Sequence, residues 1–175
     1  MPVKIRKVIL EDAKGIATVG IRTWQTTYRG LFPDEKLDTM AIEKSSEHWE
    51  KVIREREKKS NEMIIAEDLH DGIVGYANGG VFESTSPYDC EIAAVYVLKE
   101  FQRKGIGTQL VGKIIEYFLS QKWKSMIIWV LKENPYRKFY EKLGGIPEKK
   151  KLYEKWNSQH DLIGYVWENI ANISV

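Results

Sequence analysis

The segment that most constrains the fold runs from Glu91 to Ser120 and reads EIAAVYVLKEFQRKGIGTQLVGKIIEYFLS. Its first part, Ile92 to Leu98, is apolar or small and partly β-branched, which predicts a mostly buried strand. Apolar residues then recur at helical spacing, at positions 106, 110, 111, 114, 115 and 118, which predicts a helix with one buried face. The basic turn QRKGIG joins the two. The segment therefore predicts a strand, a glycine turn and a helix in that order.

The glycine turn has the properties of an anion site. Gly105 and Gly107 let the backbone approach a ligand closely, and several amide N–H groups then point into one concavity. The helix that begins there adds its unpaired first-turn donors and the positive end of its dipole. Two nucleotide motifs are excluded, because no stretch supplies G-x-x-x-x-G-K-[ST] and Leu110 stands where G-x-G-x-x-G needs its third glycine. The turn thus predicts a pyrophosphate site of another kind.

A second block, IIWVLKENPYRKFYEKLGG, runs from Ile127 to Gly145. Together, the two blocks resemble the GCN5-related N-acetyltransferase (GNAT) family. The turn matches the family signature [QR]-x-x-G-x-[GA], and the second block is similar to the family's strand followed by N-x-x-A-x-x-F-Y-E-K-x-G-F. One spacing departs from the commoner pattern, because Asn134 precedes Tyr140 by six positions rather than seven. The role of Asn134 therefore stays open.

The resemblance implies an α/β (α+β) fold, with a mixed, mostly antiparallel central sheet flanked by helices, in one domain over residues 1–175. The expected order is β-αα-β-β-β-α-β-α-β-β, and the periodicity of the individual segments agrees with it. The predicted strands are 3–8, 61–67, 72–82, 92–98, 123–131, 149–156 and 160–168. The predicted helices begin at Glu11, extend from about 34 to 58 after a break at Thr26–Gly30 and Pro33, and follow again from 106 and at 135–143.

The resemblance also implies the residues that bind acetyl-CoA, the family's co-substrate. The backbone of Val95, Tyr96 and Val97 would pair with the pantetheine arm like an added strand, although a plain core strand would have the same sequence. The glycine turn would hold the pyrophosphate, with Gln102, Arg103, Lys104, Gly105, Ile106, Gly107 and Thr108 as its members. Asn134 and Arg137 complete the expected contacts, with Lys99 and Lys138 as further candidates for the nucleotide phosphates.

Acetyl transfer from a thioester to an amine requires that the amine lose a proton and that the departing thiolate gain one. The resemblance gives the second task to Tyr140, whose phenol, with an ordinary pKa near 10, is protonated at neutral pH. Glu91 lies eleven positions before Gln102, where lysine acetyltransferases of the family place a strand-borne Glu, and is our candidate for the base, directly or through water. For Tyr140 the alternative is an aromatic residue on the apolar face of a short helix. For Glu91 the alternatives are a strand-end Glu in solvent and a Glu that holds a cationic substrate without taking its proton.

Composition excludes several classes of protein. With 43% hydrophobic residues and a net charge of +2, the chain is typical of a globular protein without a nucleic-acid footprint.

The single cysteine, Cys90, excludes an internal disulfide, and without a His nearby in sequence it is not expected to act as a nucleophile. His48, His70 and His160 lack metal-ligand spacing, so no metal is predicted. We see neither a signal peptide nor the roughly 20 apolar residues of a membrane span, and we expect a cytoplasmic protein.

The expected function is an acetyl-CoA-dependent N-acetyltransferase that acts on a primary amine by direct attack in a ternary complex. Two alternatives stay open: a non-catalytic acyl-CoA-binding or sensing module, and the same chemistry on a protein amine. An open groove at Thr26–Leu37 would favour a peptide acceptor. A closed aromatic and acidic pocket would favour a small amine, and its candidate lining is Trp24, Tyr28, Trp49 and Tyr88. A homodimer is plausible, because the resembling family often forms one.

Overall fold

The computed structural model describes residues 3–56, 58–81 and 86–174. These residues form one seven-stranded sheet, with the strand order β1-β2-β3-β4-β5-β7-β6. The strands are β1 (Lys4–Lys7), β2 (Asn61–Asp68), β3 (Gly72–Gly80), β4 (Cys90–Val97), β5 (Met126–Leu131), β6 (Ile146–Lys155) and β7 (Ser158–Trp167). The helices are α1 (Ala13–Thr27), α2 (Asp34–Asp38), α3 (Ile42–Glu55), α4 (Ile106–Ser120) and α5 (Lys138–Lys142), and short 3-10 turns lie at Leu10–Asp12, Lys99–Phe101 and Ile170–Asn172.

The predicted fold class and the order of strands and helices along the chain are confirmed, with some differences in boundaries. The helical region predicted over 34–58 divides into α2 and α3, because α2 ends at Thr39 and Ala41 has an extended backbone. The last two strands begin earlier than predicted and meet in a two-residue turn at Trp156 and Asn157, where both φ angles are positive. The end of the predicted strand 72–82 at Phe82 lies outside the described residues.

Helices cover both faces of the sheet. On one face Tyr76 of β3 packs against Trp49 of α3, with their ring centroids 5.4 Å apart, and against Gly20 of α1. On the other face α4 lies directly on β3, and its six predicted apolar residues are all buried. Phe139 of α5 contacts the start of α4 at Gly107 on this second face. The predicted amphipathic helix after the glycine turn is therefore confirmed.

Strands β4 and β5 form a parallel pair of only two residue pairs, Cys90 with Met126 and Glu91 with Ile127. Beyond these pairs β4 continues along β3, while β5 continues along β7. The register between β3 and β4 also slips, so that Ala93 is an extra residue in β4, and such a bulge bends its strand. The sheet therefore opens between β4 and β5.

A small second core closes one side of this opening. Tyr28, Phe32 and Leu37 are buried against Leu131 of β5, and Trp156 from the turn of the β6–β7 hairpin packs on Phe32 at 5.9 Å between ring centroids. The segment after α1 is thereby held against the hairpin. In the part of the chain that the structure describes, no helix combines the length and apolar character needed to cross a bilayer.

The close approach of α4 to β3 requires glycine at position 79. A methyl group there would lie 2.7 Å from Phe118 Cζ and 2.9 Å from Ile114 Cγ2, both in the buried face of α4. We expect Gly79→Ala to lower the free energy of unfolding by about 1–3 kcal/mol through overpacking. Urea denaturation would measure it. Gly107→Ala is the matched control, because its methyl group would lie 3.5 Å from Phe139 Cζ. Equal losses in the two variants would contradict this account.

Candidate active site

A first cleft of about 220 Å³ lies between β4, the glycine turn and α5. Its walls come from the end of α1, the second half of β4, the start of α4 and the segment after β5. The lining residues are Thr23, Val95, Tyr96, Val97, Phe101, Gln102, Arg103, Gly105, Ile106, Gly107, Thr108, Asn134, Tyr136, Phe139 and Tyr140. The predicted strand, glycine turn and α5 thus line one cavity.

The backbone of β4 presents hydrogen-bond donors to this cleft. The Leu98 N–H donates to the Val74 carbonyl at 2.9 Å, so Leu98 is bonded toward β3. Because bonding direction alternates along an antiparallel strand, the N–H groups of Val95 and Val97 point away from β3, toward the opening. The Gln102 side chain donates from Nε2 to the Val97 carbonyl at 2.9 Å and so ties the turn to the strand. The signature Gln thus positions the glycine turn.

The glycine turn brings the start of α4 to the same cleft. Gly105 has φ +78° immediately before the helix, and Arg103 has φ +62°, conformations in which successive N–H groups converge on one concavity. Gly107 lies against Phe139, which leaves its backbone open to the cleft. The unpaired amides and positive dipole of the α4 N-terminus add to this arrangement. The turn is therefore suited to bind a phosphate or pyrophosphate.

A second cleft of about 280 Å³ occupies the gap between β4 and β5. Its lining residues are Trp24, Tyr28, Glu91, Ile92, Ala93, Ala94, Val95, Tyr96, Ile128, Trp129, Val130, Leu131, Asn134, Tyr140, Lys151, Tyr153 and Leu162. Four of these, Val95, Tyr96, Asn134 and Tyr140, also line the first cleft. The two clefts therefore meet where β4 faces α5.

Tyr140 lies at this junction and is 8% exposed. Burial raises the pKa of Tyr140, and the neighbouring phenols of Tyr96 and Tyr165 raise it further. The Tyr140 hydroxyl therefore keeps its proton throughout the neutral and moderately alkaline range. Such a group can donate a proton or a hydrogen bond to an atom held between the two clefts.

Two more phenols line the second cleft, and each accepts a hydrogen bond from a neighbouring side chain. Trp24 Nε1 donates to the Tyr96 hydroxyl at 3.0 Å, and Asn134 Nδ2 donates to the Tyr28 hydroxyl at 3.0 Å. The other amide atom of Asn134, Oδ1, accepts the backbone N–H of Tyr136 at 2.8 Å. Burial raises the pKa of both Tyr28 and Tyr96. Asn134, whose spacing to Tyr140 is unusual, thus contacts Tyr28, the residue that directly follows α1.

The second cleft also contains charged groups. Glu91 is partly buried where the β4–β5 pairing ends. Lys151 of β6 lies over the ring of Trp129, with Nζ 4.3 Å from the centroid. Lys155, four residues further along β6 and outside this lining, has its Nζ 5.0 Å from the centroid of Trp24, and burial lowers the pKa of Lys155. The cleft is aromatic and includes both a carboxylate and an ammonium group.

The structure brings most predicted site residues together. Ten of the twelve predicted cofactor residues line the first cleft, Tyr140 lines both clefts, and Glu91 lines the second. Lys104 and Arg137 line neither: the Lys104 ammonium lies 4.8 Å from the centroid of Phe101, and Arg137 lies beside Tyr165. Lys99 and Lys138 also lie outside both linings.

Two of the four predicted acceptor residues, Trp24 and Tyr28, line the second cleft. Trp49 instead packs between His48 and Tyr76, and Tyr88 lies outside the lining. The sequence interpretation missed the wall formed by Trp129, Lys151, Tyr153 and Leu162, because nothing local shows that the β6–β7 hairpin faces this gap. It also missed Thr23, whose buried hydroxyl faces the first cleft without a hydrogen-bond partner among the described residues.

Within residues 3–56, 58–81 and 86–174, no group of three or more His, Cys, Asp and Glu side chains is arranged to hold a metal ion. Cys90 is 3% exposed and its thiol faces the Ser125 carbonyl at 3.4 Å. Burial raises the pKa of the Cys90 thiol.

Comparison with known proteins agrees with this geometry. The sequence profile of the acetyltransferase (GNAT) family matches residues 21–145. The chain is 32% identical over 140 residues to the uncharacterized N-acetyltransferase YuaI of Bacillus subtilis, which covers 79% of this chain and 78% of that protein. It is 25% identical over 114 residues to the spermidine N(1)-acetyltransferase of Thermoplasma acidophilum, covering 63% and 67% of the two chains.

A solved structure has the same fold. YncA of Salmonella typhimurium, determined with its cofactor acetyl-CoA, superposes with a TM-score of 0.72 at 18% sequence identity, covering 100% of this chain and 98% of that one. At this identity the likeness establishes the fold alone.

The buried thiol gives a direct test of the packing at the start of β4. Because burial raises the pKa of Cys90, very little thiolate forms near pH 8, and we expect the native protein not to react with Ellman's reagent. One thiol per chain should react after unfolding in guanidinium. Rapid reaction of the native protein, with no loss of secondary structure by circular dichroism, would contradict the placement of Cys90.

Proposed function

The chain belongs to the acetyltransferase (GNAT) family, and from that premise we propose that it transfers the acetyl group of acetyl-CoA to a small primary amine. The observation that supports this most directly is the meeting of two clefts at a buried phenol, Tyr140. One cleft has the features of a donor site and the other those of an acceptor site. The reaction proposed is direct attack in a ternary complex.

The first cleft offers the chemical groups that would bind acetyl-CoA. The outward N–H groups of Val95 and Val97 would pair with the amides of the pantetheine arm, and the glycine turn would hold the pyrophosphate. The Thr23 hydroxyl, which has no hydrogen-bond partner among the described residues, would be a further polar group beside the arm. Bound in this way, acetyl-CoA supplies an activated acetyl group, with the thioester near Tyr140.

Tyr140 would act as the general acid and Glu91 as the base. Tyr140 is protonated at neutral pH because burial raises its pKa, so it can give a proton to the departing thiolate. Glu91 lines the acceptor cleft and would take the proton of the amine, directly or through water. Cys90 lines neither cleft, which supports a reaction without an acyl-enzyme.

The second cleft favours a small acceptor over a peptide. The segment Thr26–Leu37, where a peptide groove was considered, packs through Tyr28, Phe32 and Leu37 into the second core. The cleft is walled by the β6–β7 hairpin and carries the Glu91 carboxylate among aromatic rings. We therefore infer a small amine that enters this aromatic and acidic cleft. The relative from Thermoplasma acidophilum is a spermidine N(1)-acetyltransferase, and spermidine belongs in the first panel of candidates.

The experiment that tests this function is release of free CoA thiol from acetyl-CoA across polyamines, amino acids, aminoglycosides and lysine peptides. Turnover with a small amine is the expected result. Binding of acetyl-CoA without turnover on any member would favour the non-catalytic module instead. Turnover with peptides alone would replace the small acceptor by a protein amine.

Loss of the Tyr140 hydroxyl tests the general acid. We expect Tyr140→Phe to lower kcat by about 10²–10⁴-fold at pH 7, because the thiolate then leaves without a positioned proton donor. Because the pKa of Tyr140 is raised, its hydroxyl should stay protonated as the pH rises from 7 to about 10. Wild-type kcat should therefore not fall in this range through titration of Tyr140. The matched control is Tyr117→Phe, on the far end of α4. Equal rates for the two variants would remove Tyr140 from the chemistry.

A further inference from the structure

The hydroxyl oxygen of Tyr96 already accepts a hydrogen bond from a neighbouring side chain. An indole N–H can only donate a hydrogen bond, so the 3.0 Å contact from Trp24 Nε1 makes the Tyr96 hydroxyl oxygen the acceptor. The proton of the Tyr96 hydroxyl must then point elsewhere. Tyr96 lines both clefts, so the open direction for this proton is the junction.

Tyr28 is held in the same way by Asn134. The two ends of an amide side chain are told apart by their partners, and here the backbone N–H of Tyr136, which can only donate, lies 2.8 Å from Asn134 Oδ1. The opposite end is therefore the NH₂ group, and it donates to the Tyr28 hydroxyl oxygen at 3.0 Å. The Tyr28 hydroxyl, too, has a proton left to donate.

Neither proton has an acceptor among the described residues. Tyr28 is only 5% exposed, and buried donors almost always have a partner. Burial also raises the pKa of both phenols, so that both keep their protons at neutral pH. A buried donor in Tyr28 and a partly buried donor in Tyr96, neither with an acceptor among the described residues, point to a bound molecule that supplies an acceptor atom.

The two phenols lie close enough to serve one site. Both contact Trp24, which stacks edge-on against Tyr28 at 4.8 Å between centroids and donates to Tyr96. The Tyr28 hydroxyl also interacts electrostatically with those of Tyr96 and Tyr140. Tyr96 therefore lies at the junction at which the proposed function places the thioester, and Tyr28 lies beside it in the second cleft.

We propose that Tyr28 and Tyr96 form a pair of hydrogen-bond donors that holds the carbonyl oxygen of the acetyl group while that oxygen becomes negative. This inference rests on the proposed function. The amine lone pair attacks the carbonyl carbon, and the C=O π electrons move to the oxygen, where the two O–H groups bind it. When the C=O bond reforms, the C–S bond breaks with its electrons on sulfur, which takes the Tyr140 proton. The ammonium proton leaves to Glu91 or water, so the products are an amide and free CoA thiol.

Neutral, fixed donors suit this task because they need little rearrangement as the charge develops. Trp24 and Asn134 each donate a hydrogen bond to one of the two phenol oxygens. The direction of each O–H group is therefore set before a ligand binds. Asn134 is on this account a positioning residue, which acts through Tyr28. The pair is distinct from Tyr140, which serves the sulfur rather than the oxygen.

The first test is spectroscopic and needs no acceptor. Acetyl-CoA labelled with ¹³C at the thioester carbonyl is bound to the wild-type protein, and its C=O stretching band is isolated by isotope-edited difference infrared spectroscopy. We expect the band at lower frequency than in free acetyl-CoA. Tyr28→Phe and Tyr96→Phe should each reverse part of this shift, and the double variant most of it. An unchanged band in all three variants overturns the proposal.

The second test is kinetic and uses the best amine of the panel. Each single Phe variant should lower kcat by about 100-fold, as expected for loss of one such donor, with KM for acetyl-CoA little changed. Asn134→Ala should cost less than Tyr28→Phe, because the hydroxyl stays but loses its orientation. Tyr117→Phe is again the control, and thermal melts establish that each variant is folded. If a Phe variant does not fold, Asn134→Ala tests the same donor with both phenols in place.

The outcomes separate this inference from the proposed function. A shifted carbonyl band that the Phe variants reverse, in a protein that acetylates no amine, would support the donor pair while removing the enzyme. A raised KM for the acceptor, with kcat and the carbonyl band unchanged, would assign the two hydroxyls to the acceptor and overturn the proposal.

Discussion

The candidate site depends on the short pairing between β4 and β5. Two parallel residue pairs hold the strands together at Cys90 and Glu91, and the strands then separate. Backbone N–H groups on the inner side of β4 lose a strand partner, which is costly in a largely buried sheet unless another molecule provides acceptors. The same gap lets residues from the two helical layers approach each other. Strand divergence therefore creates both the backbone donors of the first cleft and the space of the second.

Three neutral phenols lie at the junction of the clefts or beside it. Tyr28, Tyr96 and Tyr140 are all at least partly buried, and burial raises the pKa of each. The junction therefore carries O–H dipoles in a poorly solvated environment, where an electrostatic interaction with a ligand is stronger than in water. Trp24 fixes the orientation of the Tyr96 hydroxyl, and Asn134 that of the Tyr28 hydroxyl, because each donates a hydrogen bond to the phenol oxygen.

The parts predicted correctly from sequence are those whose signals are local. The strand before Gln102, the glycines at 105 and 107 and the apolar face of α4 lie within one contiguous segment, and each has a recognisable physical signature. The second cleft could not be predicted, because its walls come from α1, β4, β5 and β6, which only the tertiary fold brings together. Asn134 illustrates the difference: its spacing was visible, but its partner Tyr28 lies 106 positions away.

The outer wall of the second cleft comes from β6, an edge strand paired on one side only, with β7. Lys151 and Tyr153 on this strand line the second cleft. The glycine turn, in contrast, belongs to the interior segment from β4 to α4. Substitutions on an edge strand disturb few hydrogen-bonded neighbours. On the proposed function, the hairpin side of the second cleft would therefore tolerate substitution more readily than the interior segment that includes the glycine turn, so that acceptor preference could change while cofactor binding is kept.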